Sequence, residues 1–278
     1  MNLHLVIQGT AVAERDLREL ARLSGAQQAL RLAGGVCRLI GAERRPGIAE
    51  YCATAKLDFG FVPQARRLAD FGLLAIDMDS TLITIECVDE IADLAGVKAE
   101  VSAITAAAMA GEIDYAQSLR RRVGLLRGLD QSALARVYDE RLRLSPGAET
   151  LLEAARRAGV KTMLVSGGFS YFTERLLARL ALDYQLANML EIEGGRLTGR
   201  VLGNIVDAEQ KAAKLREVRR QLQLPKSRVI AIGDGANDLK MMAEAGVSVA
   251  YCAKAVARDQ ADYALDHVGL DGVLRLFA

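Results

Sequence analysis

The stretch Gly72-Leu73-Leu74-Ala75-Ile76-Asp77-Met78-Asp79 decides the fold. It is a continuous apolar run that ends abruptly in two carboxylates. A strand apolar on both faces belongs in a parallel sheet covered by helices on either side. Related runs lie at Val160–Val165 and Val229–Ile232, and each gives way to glycine and small polar residues, then to a helical stretch. That alternation predicts an α/β fold with a doubly wound parallel sheet.

Reading outward from this core, residues 85–144 interrupt the alternation with consecutive amphipathic helices and no clear strand. They predict a helical cap inserted into the sheet domain. Ser145-Pro146 predicts a new helix with proline at its first position. Met189–Ile192 and Leu197–Val201, around Gly194-Gly195, predict a hairpin appended to the sheet. Upstream, Leu3–Gln8 predicts a strand, and Glu14–Leu23 a helix with Leu17, Leu20 and Leu23 on one face. Gln28–Leu32 and Val36–Ile40 predict a hairpin around Gly34-Gly35. Pro46–Leu57 predicts a helix and Asp58–Val62 an extended segment. The order β-α-β-β-α-β suggests a small α+β, ferredoxin-like unit, with no cluster of residues that demands chemistry. The expected division is therefore 1–70 for an N-terminal module and 71–278 for the sheet domain with its cap.

Composition narrows the function classes. The 278 residues are 51% hydrophobic, enough for a sizeable core, and 36 Lys+Arg against 35 Asp+Glu leave a formal charge of +1. That balance argues against a nucleic-acid binder relying on bulk charge. With aromatics at 5% and no Trp, stacking platforms for single strands are not expected either. The longest stretch free of formal charge is Met1 to Ala13, short of the roughly 18–20 apolar residues of a membrane span. No basic n-region precedes an apolar core, so no secretory signal is expected. The four cysteines form no CxxC and have no histidine at a ligand spacing; this is neither a zinc site nor a disulfide scaffold, and it suits a reducing cytoplasm. His4 and His267 are isolated. Paired arginines such as Arg156-Arg157 fit solvated helix faces.

Ligands of open α/β sheets bind at the carboxyl ends of the strands. Here those ends carry Asp77-Met78-Asp79-Ser80-Thr81, Ser166-Gly167-Gly168 and Gly233-Asp234-Gly235-Ala236-Asn237-Asp238. Each piece alone is an ordinary turn or cap; their occurrence in order on three candidate core strands is not. Asp77, Asp79, Asp234 and Asp238 would crowd four carboxylates that need a positive partner. A hard divalent cation with oxygen ligands, Mg²⁺, answers that need, and the lack of a His/Cys cluster argues against zinc.

These motifs, with a lysine between the second and third, resemble the haloacid dehalogenase superfamily of phosphohydrolases. The segment from Asp77 through Glu86 to Ala92, the run Gln117-Ser118-Leu119-Arg120-Arg121-Arg122-Val123 and Val165–Phe169 resemble more closely its phosphoserine phosphatases. The resemblance spans roughly Phe71 to Ala278; the first 70 residues resemble an ACT-like regulatory module in element order only. The resemblance implies Mg²⁺-dependent hydrolysis of O-phospho-L-serine, the last step of serine biosynthesis, through an aspartyl-phosphate. Asp77 would be the nucleophile, and Asp79 the acid and then the base. Asp77, the backbone carbonyl of Asp79 and Asp234 would hold the metal, with Asp238 supporting them. Ser166 and the Gly167 N–H would contact the phosphoryl oxygens, and Asn237 the substrate. Lys211, favoured over Lys214 by the family's spacing, would offset phosphoryl charge. Glu86 would receive the substrate ammonium and Arg122 its carboxylate, a planar fork suited to bidentate binding. Met109 and Tyr115 correspond to the pocket's apolar wall, with ordinary core packing as the equal alternative. The partner implied is a small molecule, neither nucleic acid nor membrane, and a homodimer is the assembly left open.

Three other readings compete. A phosphoacceptor receiver module shares the aspartate, Mg²⁺, hydroxyl and lysine, but Asp79 suits rapid dephosphorylation and the insert has no place there. Another small-molecule phosphatase or phosphotransferase of the superfamily, acting on a sugar or nucleotide phosphate, is disfavoured by Glu86 with Arg122. A catalytically dead binding protein is disfavoured by the intact motif set.

Overall fold

The structure is a computed structural model that describes residues 3–32 and 35–277. Gly34, half of the expected hairpin turn, lies outside the described residues. The N-terminal unit runs β1 (Leu3–Gln8), α1 (Glu14–Ser24), β2 (Gln28–Leu32), β3 (Val36–Ile40), α2 (Ile48–Ala55) and β4 (Asp58–Pro63), the element order expected. Its strands form an antiparallel sheet in the order β2-β3-β1-β4. Strand periodicity divides its faces: Leu5 and Ile7 pack with Leu17, Leu20 and Cys52 of the two helices, while Val6, Val36 and Val62 pack into the core of the larger domain. The helix α2 is shorter than Pro46–Leu57 because Gly47 turns left-handed (φ 87) just before it.

The larger domain is a seven-stranded sheet formed by β5 (Leu73–Asp77), β6 (Lys161–Phe169), β7 (Tyr184–Glu193), β8 (Arg196–Leu202), β9 (Val229–Gly233), β10 (Val247–Tyr251) and β11 (Tyr263–Leu265). Its order is β11-β10-β9-β5-β6-β7-β8, parallel except for β8, which runs antiparallel to β7. The three motif-bearing strands are thus neighbours, with β5 in the middle and its residues Leu73 to Ile76 buried. This places Asp77 at the centre of one sheet edge, flanked by the ends of β6 and β9.

Between Leu82 and Leu142 the cap inserts α3 (Cys87–Ala95), α4 (Lys98–Met109), α5 (Tyr115–Leu125) and α6 (Ser132–Arg136). An antiparallel bridge between Ile83 and Leu144 closes its base, and another between Asp130 and Arg196 ties it to β8. After it, α7 begins at Ala148 and not at Pro146. Gly147, at φ 75, is the residue before the helix, and the Pro146 carbonyl accepts from the Leu270 N–H at 2.7 Å, so the proline belongs to the turn. The remaining long helices are α8 (Ser170–Leu180) and α9 (Ala208–Gln221). Among the described residues no helix is long and apolar enough to cross a membrane.

The two units meet over a packed interface. Across it, the hydroxyl of Tyr263 in β11 donates to the Phe61 carbonyl of β4 at 3.2 Å. Asp58, buried at the start of β4, accepts the backbone N–H groups of Asp266, His267 and Val268 at 2.9, 2.9 and 3.0 Å. One N-terminal carboxylate therefore organises a C-terminal loop that would otherwise leave three donors unsatisfied. Asp58→Ala is expected to lower the unfolding free energy by about 2–4 kcal/mol, measured by urea denaturation; a loss under about 1 kcal/mol would show that the loop holds itself.

Candidate active site

The strand β5 ends at Asp77, and the chain turns sharply through Met78–Leu82. Ser80 adopts φ 56, a left-handed conformation unusual for a non-glycine residue. Its hydroxyl donates to Glu86 Oε1 at 2.7 Å, and its N–H donates to the Ile85 carbonyl at 3.2 Å. The turn brings Asp79 over the end of β6. There Asp79 Oδ1 accepts the Cys87 N–H at 2.9 Å, and Oδ2 accepts the Ser166 hydroxyl at 3.1 Å. Burial raises the Asp79 pKa, and the hydrogen bonds from Cys87 and Ser166 pull the other way. A carboxyl kept in its acid form more readily than usual is suited to giving up a proton. Cys87 is buried, and burial pushes its thiol up, which makes it a packing residue and not a nucleophile.

Behind Asp77 lies Lys211, in the first turn of α9, buried to 1% exposure. Its ammonium donates to Asp77 Oδ1 and, at 2.8 Å, to Asp238 Oδ1. Burial opposes its charge, yet the carboxylates of Asp238 and Asp77 outweigh that and raise its pKa. Lys214, the competitor in the sequence, pairs instead with Glu217 at 2.8 Å on the helix surface. Asp238 is fully engaged: its other oxygen accepts the N–H groups of Asp234 and Gly235, each at 3.2 Å. It thus folds the Gly233–Asp238 loop and anchors the lysine at once. Asp77, Asp234 and Asp238 bring one carboxylate oxygen each within 4.8 Å of the others. Burial and then Asp238 raise the Asp77 pKa well above the ordinary carboxylate range, against the pull of Lys211. Burial and Asp238 likewise raise Asp234, which makes no ion pair among the described residues.

These groups open onto a cavity of about 500 Å³ between sheet edge and cap. Asp77, Asp79, Glu86, Met109, Arg122, Gly167, Asp234 and Asn237 line it. Ser166, Lys211 and Asp238 sit immediately behind the lining, fully buried. Glu86 is exposed to the cavity, yet the protein crowded around its carboxyl, with the nearby Asp79, pushes its pKa up to about 7. Arg122 faces the cavity with its Nε buried and unpartnered among the described residues, while Arg120 and Arg121 are exposed. Met109 stands at the lip with 71% of its surface exposed, so it borders the cavity and does not pack into the core.

The Ser166-Gly167-Gly168 segment is held from both sides. The Tyr115 hydroxyl donates from the cap to the Gly167 carbonyl at 2.9 Å, and Asn188 Nδ2 donates to the same oxygen at 2.7 Å. Asn188 Oδ1 in turn accepts the Val206 N–H at 2.8 Å. A Cβ at Gly168 would stand 2.6 Å from Asp79 Oδ2, so only glycine allows that carboxylate so close. Sequence reasoning missed Asn188, a strut with no motif around it, and Lys254, an exposed cation on the cavity lining.

Lys211 supplies the buried cation that faces these carboxylates. Lys211→Met, measured in EDTA by urea denaturation at neutral pH, is expected to lose about 3–5 kcal/mol of stability. A change within about 1 kcal/mol would mean that Asp77 and Asp238 do not depend on the lysine.

Comparison with known proteins agrees with this geometry. Residues 74–243 match the family model for haloacid dehalogenase-like hydrolases, and residues 5–48 match a domain of unknown function, DUF4072. A phosphoserine phosphatase of Polaromonas sp. strain JS666 is 52% identical over 239 residues, 84% of this chain and 98% of that protein. The crystal structure of a probable phosphoserine phosphatase from Vibrio cholerae superposes with TM-score 0.86 at 37% identity, over 99% of this chain and 86% of that one. A phospho-aspartyl intermediate analogue of phosphoserine phosphatase superposes with TM-score 0.70 at 35% identity, over 75% of this chain and 99% of that one. The chain belongs to the haloacid dehalogenase-like hydrolases and, within them, to the phosphoserine phosphatase family.

Proposed function

We propose that the protein hydrolyses O-phospho-L-serine to L-serine and phosphate, with Mg²⁺ as cofactor and an aspartyl-phosphate at Asp77 as intermediate. The observation that carries this reading is one cavity with a phosphate end and an amino-acid end. Asp77, backed by Lys211, and Asp79 lie at one; Glu86 and Arg122 line the same space.

In the first step a carboxylate oxygen of Asp77 attacks phosphorus and the bond to the serine oxygen breaks. Asp79, in its acid form, gives its proton to that departing oxygen. In the second step the Asp79 carboxylate takes a proton from water as the water attacks phosphorus, and the bond to Asp77 breaks to release phosphate. One group thus serves as acid and then base. Lys211 offsets the repulsion between the attacking anion and the phosphoryl oxygens. The Gly167 N–H and Ser166 are assigned to the phosphoryl group; the Ser166 hydroxyl, which bonds Asp79, also orients that acid. Asn237 is assigned to the substrate. None of the described residues before 71 lines the cavity, and that part of the chain is assigned a separate, regulatory role.

The donor set fits a hard divalent cation: oxygen atoms only, and three buried carboxylates against the single buried lysine that pairs with them. Asp77, the Asp79 backbone carbonyl and Asp234 would hold Mg²⁺, with Asp238 kept behind them by its bonds to Lys211 and the loop. Bound there, the ion supplies positive charge to the phosphoryl oxygens.

Phosphate release from phosphoserine should vanish in EDTA and return with Mg²⁺, while Ca²⁺, which accepts larger and less regular shells, should support little. Full activity in metal-free buffer would contradict the assignment of the carboxylates. Arg122→Ala should lower kcat/KM for phosphoserine by roughly 10–150-fold, with much less effect on phosphoethanolamine, which lacks the carboxylate. Glu86→Ala should show the complementary pattern, sparing 3-phospholactate, which lacks the ammonium. Equal losses on substrates with and without the partner group would mean that these residues act on the cap and not on the substrate.

A further inference from the structure

Among the described residues, three serine or threonine side chains are buried within α-helices: Ser24, Ser118 and Thr173. A buried hydroxyl in a helix normally bonds back to the preceding turn or finds a neighbouring side chain. Ser24 donates to the Leu20 carbonyl at 2.7 Å, and Thr173 to Gln185 Oε1 at 2.8 Å. Half-buried Thr105 follows the same rule, donating to the Val101 carbonyl at 3.0 Å. Ser118 is the exception. Its hydroxyl is buried and has no partner among the described residues, although the Asp114 carbonyl one turn back is present and accepts the Ser118 N–H at 2.9 Å.

The position of this orphan is informative. Tyr115, Ser118, Leu119 and Arg122 form the face of α5 that lines the cavity. Arg122 lies one turn beyond Ser118, and its Nε is likewise buried without a partner. Two orphaned donors on one helix face, on the wall of one cavity, call for an acceptor with more than one oxygen. Beside a guanidinium the acceptor bound most strongly is an anion, through charge-assisted hydrogen bonds. An end-on carboxylate would use only the two terminal nitrogens of the arginine and leave Nε orphaned. A carboxylate along the edge of the guanidinium accepts from Nε and one terminal nitrogen in parallel. Its oxygen nearer the start of α5 then has a lone pair left for the Ser118 hydroxyl.

We propose that Ser118 is a substrate-binding residue whose hydroxyl donates to the carboxylate of the amino-acid phosphate, beside Arg122, and so sets selectivity for a carboxylated substrate. This rests on the substrate reading above. No proton is transferred; the contact adds binding that is equal in ground and transition states, so it acts chiefly on KM.

The test compares Ser118→Ala and the near-isosteric Ser118→Cys with wild type, alone and in an Arg122→Ala background, on phosphoserine and phosphoethanolamine with Mg²⁺. Removing the hydroxyl should lower kcat/KM for phosphoserine about 10-fold, mostly through KM, and for phosphoethanolamine less than about twofold. In the Arg122→Ala background the same change should shrink to under about threefold. The ligand-free melting temperature of Ser118→Ala should stay level or rise, since an unsatisfied buried hydroxyl is removed. Retention of the wild-type preference for phosphoserine in both variants would overturn the role of Ser118 while leaving the substrate reading intact. Equal losses on both substrates would make Ser118 a packing residue and overturn the role as well. A wild-type protein with no preference for phosphoserine over phosphoethanolamine would overturn the substrate reading and this inference together.

Discussion

The site depends on one buried lysine held between two carboxylates. Lys211 reaches from the first turn of α9 to Asp77 at the end of β5 and to Asp238 in the loop after β9. An ammonium taken out of water is stable only with such partners, and the carboxylates are stable only with it. The contact therefore fixes a helix, a strand end and a loop relative to one another. Asp238 makes the arrangement rigid, because its second oxygen closes its own loop through the N–H groups of Asp234 and Gly235. Three carboxylates against this lysine still leave excess negative charge, which is why the site asks for a divalent cation.

The contacts by which the cap reaches that centre each have a physical reason. Tyr115 spans the cavity to bond the Gly167 carbonyl, which Asn188 also holds from the sheet side. The segment between them can be glycine-rich without being loose, because its carbonyl is fixed twice. Gly168 allows the Asp79 carboxylate to approach where any side chain would collide with it. The cap in turn supplies Arg122 from α5, while Glu86 stands at its hinge, tied to Ser80 in the strained turn after Asp77. In the proposed reading, chemistry and recognition thus come from different elements that line one cavity.

Much of this was legible in the sequence. The continuous apolar runs of β5, β6 and β9 announce buried parallel strands, and the polar residues at their ends announce a ligand site. The N-terminal element order follows equally from period and punctuation. The strands β10 and β11 were not anticipated; β11 has only three residues and carries no pattern of its own. The start of α7 was misplaced because Pro146 looked like a first helical residue, whereas Gly147 supplies the left-handed turn that admits the chain. Between Lys211 and Lys214 the sequence offers only the family's spacing, which favours Lys211; packing sets them physically apart, one inside the carboxylate cluster and the other paired with Glu217 on the surface. Asn188 had no local signal, since both of its partners are distant in sequence. The unpartnered state of Ser118 and of the Arg122 Nε is a property of packing that no motif records.

The central claim is that Asp77, poised by Lys211, takes the phosphoryl group onto its own carboxylate before water does. Rapid mixing of the protein with phosphoserine and Mg²⁺, followed by acid quench and peptide mapping by mass spectrometry, tests it directly. The account predicts a transient, hydroxylamine-labile phosphoryl group on the peptide that contains Asp77, absent from Asp77→Asn. Phosphate release at full rate with no phosphoryl group on that peptide, or with the group on another residue, would contradict it.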